Sequence, residues 1–158
     1  MNFKNLLKWG VIIIVAGFLL IQLVPYGRNH TNPPVQSEPN WDSPETRALA
    51  VTACYDCHSN ETNWDRWYES VAPASWLVQH DVEDGRQRVN FSEWNEGGKP
   101  RETDELWEVL QRSSMPPSQY LILHSEAKLT SAQVDHLIAG LKATTQNYFL
   151  CKHWLMSA

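Results

Sequence analysis

The chain has 158 residues, 42% of them hydrophobic, with 13 basic and 18 acidic side chains and a formal net charge of −5. Lys4, Lys8 and Arg28 precede every acid, so the part after residue 28 holds 10 basic against 18 acidic side chains, a net charge of −8. That balance argues against nucleic acid or an anionic lipid surface as its partner and suits a basic protein.

The first predicted element is apolar. From Trp9 to Val24 there is no charge, and Gln22 is the one strongly polar residue. A helix over residues 6–26 is about 31 Å long, matching a hydrocarbon core of about 30 Å, with Lys8 able to extend its amine to the headgroups. The run is followed by Pro25, Tyr26, Gly27 and Arg28, which offer no small-residue cleavage site. Residues 1–28 are therefore expected to be an uncleaved signal-anchor. Lys4 and Lys8 before the span and Arg28 after it predict a single pass with a cytoplasmic N-terminus and an exported remainder.

Residues 29–43 contain Pro33, Pro34 and Pro39 and few apolar side chains, which predicts a semi-extended linker. Asp42-Ser43-Pro44-Glu45 opens a helix over about 44–53 that runs into Cys54. Residues 74–88 form a second helix in the soluble part, interrupted or ended near Gly85, and 102–113 form a third with Leu106, Trp107, Val109 and Leu110 on one face. Thr130 and Gln133 frame a capping box ahead of an apolar stripe at Val134, Leu137, Ile138 and Leu141. The stripe leaves His136 facing solvent. Strand-like alternation is almost absent, and the loops at 59–73 and 90–101 are long enough to wrap something other than protein. The fold class is mainly α: one helical domain over 44–145 behind one transmembrane helix, with a tail at 146–158.

Residues 54–58 read CYDCH. With this composition, a C-x-x-C-H stretch arises by chance with a probability of roughly 0.002. A zinc site needs a second ligand pair at short spacing, and Cys151, His80, His124, His136 and His153 provide none. A redox dithiol belongs with a βαβ pattern that is missing here, and a plain disulfide leaves the histidine unexplained. Covalent attachment of one c-type haem accounts for all three residues: Cys54 and Cys57 as thioethers, and His58 as the proximal iron ligand. The exported location agrees.

For the sixth iron position, Met115 stands in SSMPPSQY, where Pro116 and Pro117 stiffen the loop that carries it. Met1 lies ahead of the span and Met156 near the C-terminus. Met115 is the expected distal ligand, with His124 and His80 as alternatives.

CYDCHSNET at 54–62, SVAPASWLV at 70–78, GRQRVNFSEW at 85–94 and MPPSQYLILHSEAKLT at 115–130 together resemble the bacterial haem-binding domain family, in order over about residues 44–143. The resemblance implies a cytochrome c-like helical domain around one covalently attached haem c, held by Cys54, Cys57 and His58 with Met115 opposite. It implies a small protein anchored in the bacterial inner membrane, its haem on the periplasmic side. The segment 147–158 departs from the family's usual ending, and Cys151 within it is read as a free thiol or a crosslink. The expected function is electron transfer with redox-protein partners, because two protein ligands leave the iron no open position. The alternative is a haem enzyme or gas sensor of peroxidase-like type with a labile sixth ligand.

Overall fold

The computed structural model describes the backbone from Asn2 to Met156 and side chains as far as Gln146. Regular structure among the described residues is helical: α1 (Phe3–Ile21), α2 (Pro44–Ala53), α3 (Tyr55–His58), α4 (Ala74–Arg88), α5 (Glu105–Gln111), α6 (Ser118–Leu123) and α7 (Ser131–Met156), with three short 3-10 turns. The chain divides into two compact units, residues 1–31 with 63–81 and residues 32–62 with 82–158.

In the first unit, α1 is 19 residues of almost unbroken apolar sequence with no buried side chain, long and apolar enough to cross a membrane. Its end is tied to the returning segment by Gln22. The Gln22 amide donates to Ala72 O (2.9 Å) and to Phe18 O (3.1 Å), and its carbonyl accepts from Ala72 N (3.0 Å). Gly27 lies at φ +75°, against Ser75, where a Cβ would come within 2.3 Å of the Ser75 carbonyl oxygen. Only glycine meets both conditions without strain. His30 stacks on Trp64 with ring centroids 4.5 Å apart, and its Nε2 donates to Glu69 O at 3.1 Å.

In the second unit, α2 begins where the sequence predicts. Ser43 Oγ accepts from Thr46 N at 3.1 Å, and Pro44 occupies the first turn. The predicted capping box opens α7: Gln133 N donates to Thr130 Oγ1 (3.3 Å), and Thr130 N donates back to Gln133 Oε1 (2.8 Å). Along α7, Leu137 and Leu141 are buried, while Val134 and Ile138 lie partly buried against the same core and His136 is exposed. Leu106 and Leu110 of α5, Leu49 and Ala50 of α2, and Tyr55, Phe91 and Trp94 complete that core. Each buried leucine contributes about 1.5–3 kcal/mol.

Four details differ from expectation. α4 continues through Gly85 to Arg88, and the helix expected at 102–113 is the shorter α5. The six-residue α6 has no counterpart among the predicted helices. Residues 34–42 are held along the second unit: Gln36 N and Ser37 N donate to Ser92 O (2.9 and 3.1 Å), and Trp94 N donates to Ser37 O (2.9 Å). Of the tail expected at 146–158, residues 147–158, with Cys151, His153 and Met156, lie outside the residues whose side chains are described, and the backbone of α7 runs to Met156.

Glu38 secures this strap. Its carboxylate accepts from Arg47 Nε and Nη2 (2.6 Å each), Trp41 Nε1 (3.0 Å) and Tyr55 Oη (3.3 Å). The Arg47 hydrogen bonds hold its pKa below the ordinary 4.5. A carboxylate with a lowered folded pKa stabilises above its unfolded value, and that stability is lost as pH falls through the folded one. Glu38→Gln is expected to cost about 1 kcal/mol at pH 7, the low figure reflecting partial exposure. The gap to wild type should narrow steadily below pH 4.5, in thermal melts recorded from pH 7 to 3.

Candidate functional site

The cysteine–histidine stretch begins at the end of α2 and forms the single turn α3. Its backbone closes on itself, with His58 N donating to Cys54 O at 2.9 Å and Cys57 N to Cys54 O at 3.2 Å. Cys54 and Cys57 are half-buried and not joined by a disulfide. Burial pushes the Cys54 thiol up to about 12, so it is protonated at neutral pH.

His58 is oriented from α4. Its Nδ1 lies 2.9 Å from Gly85 O and 3.2 Å from Val89 O. Carbonyl oxygens can only accept, so Nδ1 carries the proton and the Nε2 lone pair remains for a ligand-type bond. Burial lowers the His58 pKa, which keeps the ring in the neutral form a metal requires. The main chain of the same residue is held from another loop, since Phe91 N donates to His58 O at 2.8 Å.

The turn is framed by polar side chains that sequence reasoning did not single out. Arg86 Nε donates to Ser59 O (2.7 Å), and its Nη2 donates to Asn32 Oδ1 and Thr62 Oγ1 (2.9 Å each). Thr62 Oγ1 donates to Asp56 O at 2.8 Å. Asn60 Nδ2 donates to Pro34 O (3.0 Å) and Glu93 Oε1 (2.9 Å), and its carbonyl accepts from Asn90 Nδ2 at 2.9 Å. The available signal was the stretch GRQRVNFSEW, which contains Gly85, Arg86, Asn90 and Phe91.

The α6 segment reaches the turn through Tyr120, whose Oη donates to Asp56 Oδ2 at 2.6 Å. Met115 lies five residues earlier. Its N–H donates to Val109 O (3.3 Å), its side chain is 37% exposed, and its bond to Pro116 is cis. His124 is buried, stacked on Tyr120 with ring centroids 3.8 Å apart, and its Nδ1 donates to Tyr120 O at 3.0 Å. Cys54, Cys57, His58, Met115 and His124 thus share the second unit. His80 belongs to the first, is exposed, and has Asp81 at 3.6 Å. Among the described residues no three His, Cys, Asp or Glu side chains converge as a metal cage.

Gly85 permits the close approach of α4 to the turn: a Cβ there would come within 2.4 Å of Cys57 O and 3.1 Å of Cys57 Cβ. Helix propensity alone would make Gly85→Ala stabilising by about 0.5–1 kcal/mol. The collision is with backbone, so the opposite sign is expected, a loss of about 1–3 kcal/mol in denaturant unfolding.

A family model described as Haem-binding domain matches residues 16–143. No curated protein and no solved structure matches the chain. The matched span begins inside α1 and covers the cysteine–histidine turn, the α4 clamp, the loop at 90–98 and the segment from Met115 to α7. The chain belongs to the haem-binding domain family.

Proposed function

We propose that this protein is a membrane-anchored c-type cytochrome that carries single electrons through one haem, attached through Cys54 and Cys57 and ligated by His58 and Met115. The observation that carries the reading is the His58 ring, held by two carbonyls so that a neutral Nε2 is presented beside two unlinked cysteines. The donor set fits the group. His58 and Met115 would be the protein's ligands to the iron of such a group, with Cys54 and Cys57 as its attachment points. Bound haem supplies one-electron Fe(II)/Fe(III) chemistry, with its potential raised by a thioether ligand.

Each residue of the site then has a part in holding the group. Cys54 and Cys57 each add S–H across a vinyl group, so that a C–S bond forms, the proton ends on carbon and no oxidant is consumed. Gly85 O and Val89 O fix the His58 tautomer and ring plane and make it a better donor. Met115, held through Val109 on one side and reached through the Tyr120–Asp56 bond on the other, is exposed enough to meet an incoming group. Val51, Ile122 and Leu123 of the same unit are exposed apolar side chains that a porphyrin face can cover. The anchor reading draws support from Gln22 and Gly27, which tie the residues after α1 into the folded first unit. Orientation with the haem on the exported side follows from Lys4, Lys8 and Arg28.

One observation favours a second reading. His124 donates from Nδ1 to Tyr120 O, so its Nε2 also carries a lone pair. His124 in place of Met115 would give a bis-histidine site of lower potential.

Two expected outcomes test the proposal. Cys54→Ser or Cys57→Ser should reduce covalent haem, read as haem staining on a denaturing gel, to a small fraction of wild type; staining at the wild-type level in both variants would refute thioether attachment. Met115→Ala should retain covalent haem but turn high-spin or water-ligated, bind cyanide rapidly and show a lower midpoint potential. An unchanged spectrum and potential in Met115→Ala, with an opened iron in His124→Ala, would establish the bis-histidine reading instead.

A further inference from the structure

The segment 63–81 of the first unit carries exposed apolar side chains that haem binding does not use. Trp67 is 79% exposed and Leu77 55% exposed. Leu23 and Val24, just beyond α1, are 77% and 43% exposed. An open depression of about 590 Å³ is lined by Val24, Tyr26, Trp76, Leu77 and His80. Water-facing surfaces seldom leave a tryptophan so bare, and an apolar depression beside exposed apolar side chains marks a contact surface.

The fold specifies where that surface lies relative to α1. Gln22 follows the last residue of α1 directly, and its side chain grips the backbone of Ala72 on both sides, at 2.9 and 3.0 Å. Gly27 then seats against Ser75. At 19 residues, α1 is about 28 Å long, the thickness of a hydrocarbon core, so Gln22 sits at its boundary. The interfacial layer beyond that boundary is about 5–8 Å deep in each leaflet. Ala72 is thereby pinned at the depth of this layer, with Trp67 five residues before it and Leu77 five after.

We propose that residues 67–77 are a second membrane contact, a foot whose Trp67 and Leu77 enter the headgroup–acyl boundary of the leaflet from which α1 emerges. The partner is the phospholipid interface itself. The surface is continuous with the apolar flank of α1 through Leu23 and Val24, and its aromatic side chains are those that favour this layer. The contact is apolar rather than electrostatic, since residues 63–81 contain Asp65, Glu69 and Asp81 against Arg66 alone. It rests on the reading of α1 as a membrane span.

The test places the photo-crosslinking residue p-benzoylphenylalanine singly at positions 14, 67 and 77 of the full-length holoprotein in native membranes. Phospholipid adducts at all three positions, identified by mass spectrometry, are the expected result. Adducts at 14 without adducts at 67 and 77 would overturn the foot and leave the anchor standing, and their absence at 14 would overturn the anchor. Protein adducts in place of lipid at 67 and 77 would assign the patch to a protein partner and also overturn the foot. A second measurement does not depend on the modified residue folding normally. In vesicles of phosphatidylcholine brominated near the headgroup end of the acyl chain, wild type should lose more tryptophan fluorescence than Trp67→Phe; equal quenching would overturn the proposal.

Discussion

The second unit is organised around one side chain held from two directions. His58 gives its ring proton to the carbonyls of Gly85 and Val89, while its own carbonyl receives the N–H of Phe91. One ring acceptor, Gly85 O, belongs to the last turn of α4 and also accepts from Val89 N at 2.9 Å; the other, Val89 O, lies just past its end. The end of α4 therefore orients the residue that carries the ring. That contact is possible only because Gly85 lets the helix backbone approach the cysteine turn to a distance that any side chain would forbid. Remove the approach, and the carbonyls that set the tautomer of His58 are lost.

Around this clamp the interior is unusually polar. Ser59 and Ser92 are fully buried, Asn60, Thr62 and Asn90 nearly so, and each makes a hydrogen bond to another part of the same frame. A satisfied network of this kind specifies one loop conformation more sharply than apolar burial does, because misplacing one member leaves buried polar atoms unpaired. It explains how the turn at 54–62 and the loop at 90–98 are ordered without any strand among the described residues. Arg86 contributes most. One guanidinium bridges Ser59, Thr62 and Asn32, three positions that the chain would otherwise have to bring together separately.

Much of the helical scaffold was legible in the sequence because its signals are local. Ser43-Pro44 and Thr130-x-x-Gln133 are start signals whose hydrogen bonds lie within four residues, and Leu137 and Leu141 follow from periodicity alone. What escaped was non-local. Gly85 reads as a helix breaker until Cys57, 28 residues away, is seen to need the space. The prolines at 33, 34 and 39 read as a free linker because the partners that hold the stretch, Ser92, Trp94 and Arg47, lie well downstream. Helix α6 has neither a capping side chain nor a buried face, so propensity and pattern both passed over it. The family was legible in the sequence, whereas the carbonyls that orient His58 were visible only as part of a family stretch.

The polar interior and the exposed apolar side chains of the second unit have a common physical basis. Its core encloses Tyr55, Phe91, Trp94 and five leucines, and polar Thr46, Ser59 and Ser92 are enclosed beside them. Meanwhile Val51, Met115, Ile122 and Leu123 stand at the surface. A porphyrin face is large and apolar enough to cover those groups. On the proposed reading, haem would cover them, and binding free energy becomes folding free energy. The polar frame contributes something different, since it holds the turn that carries His58 and the two cysteines in one conformation.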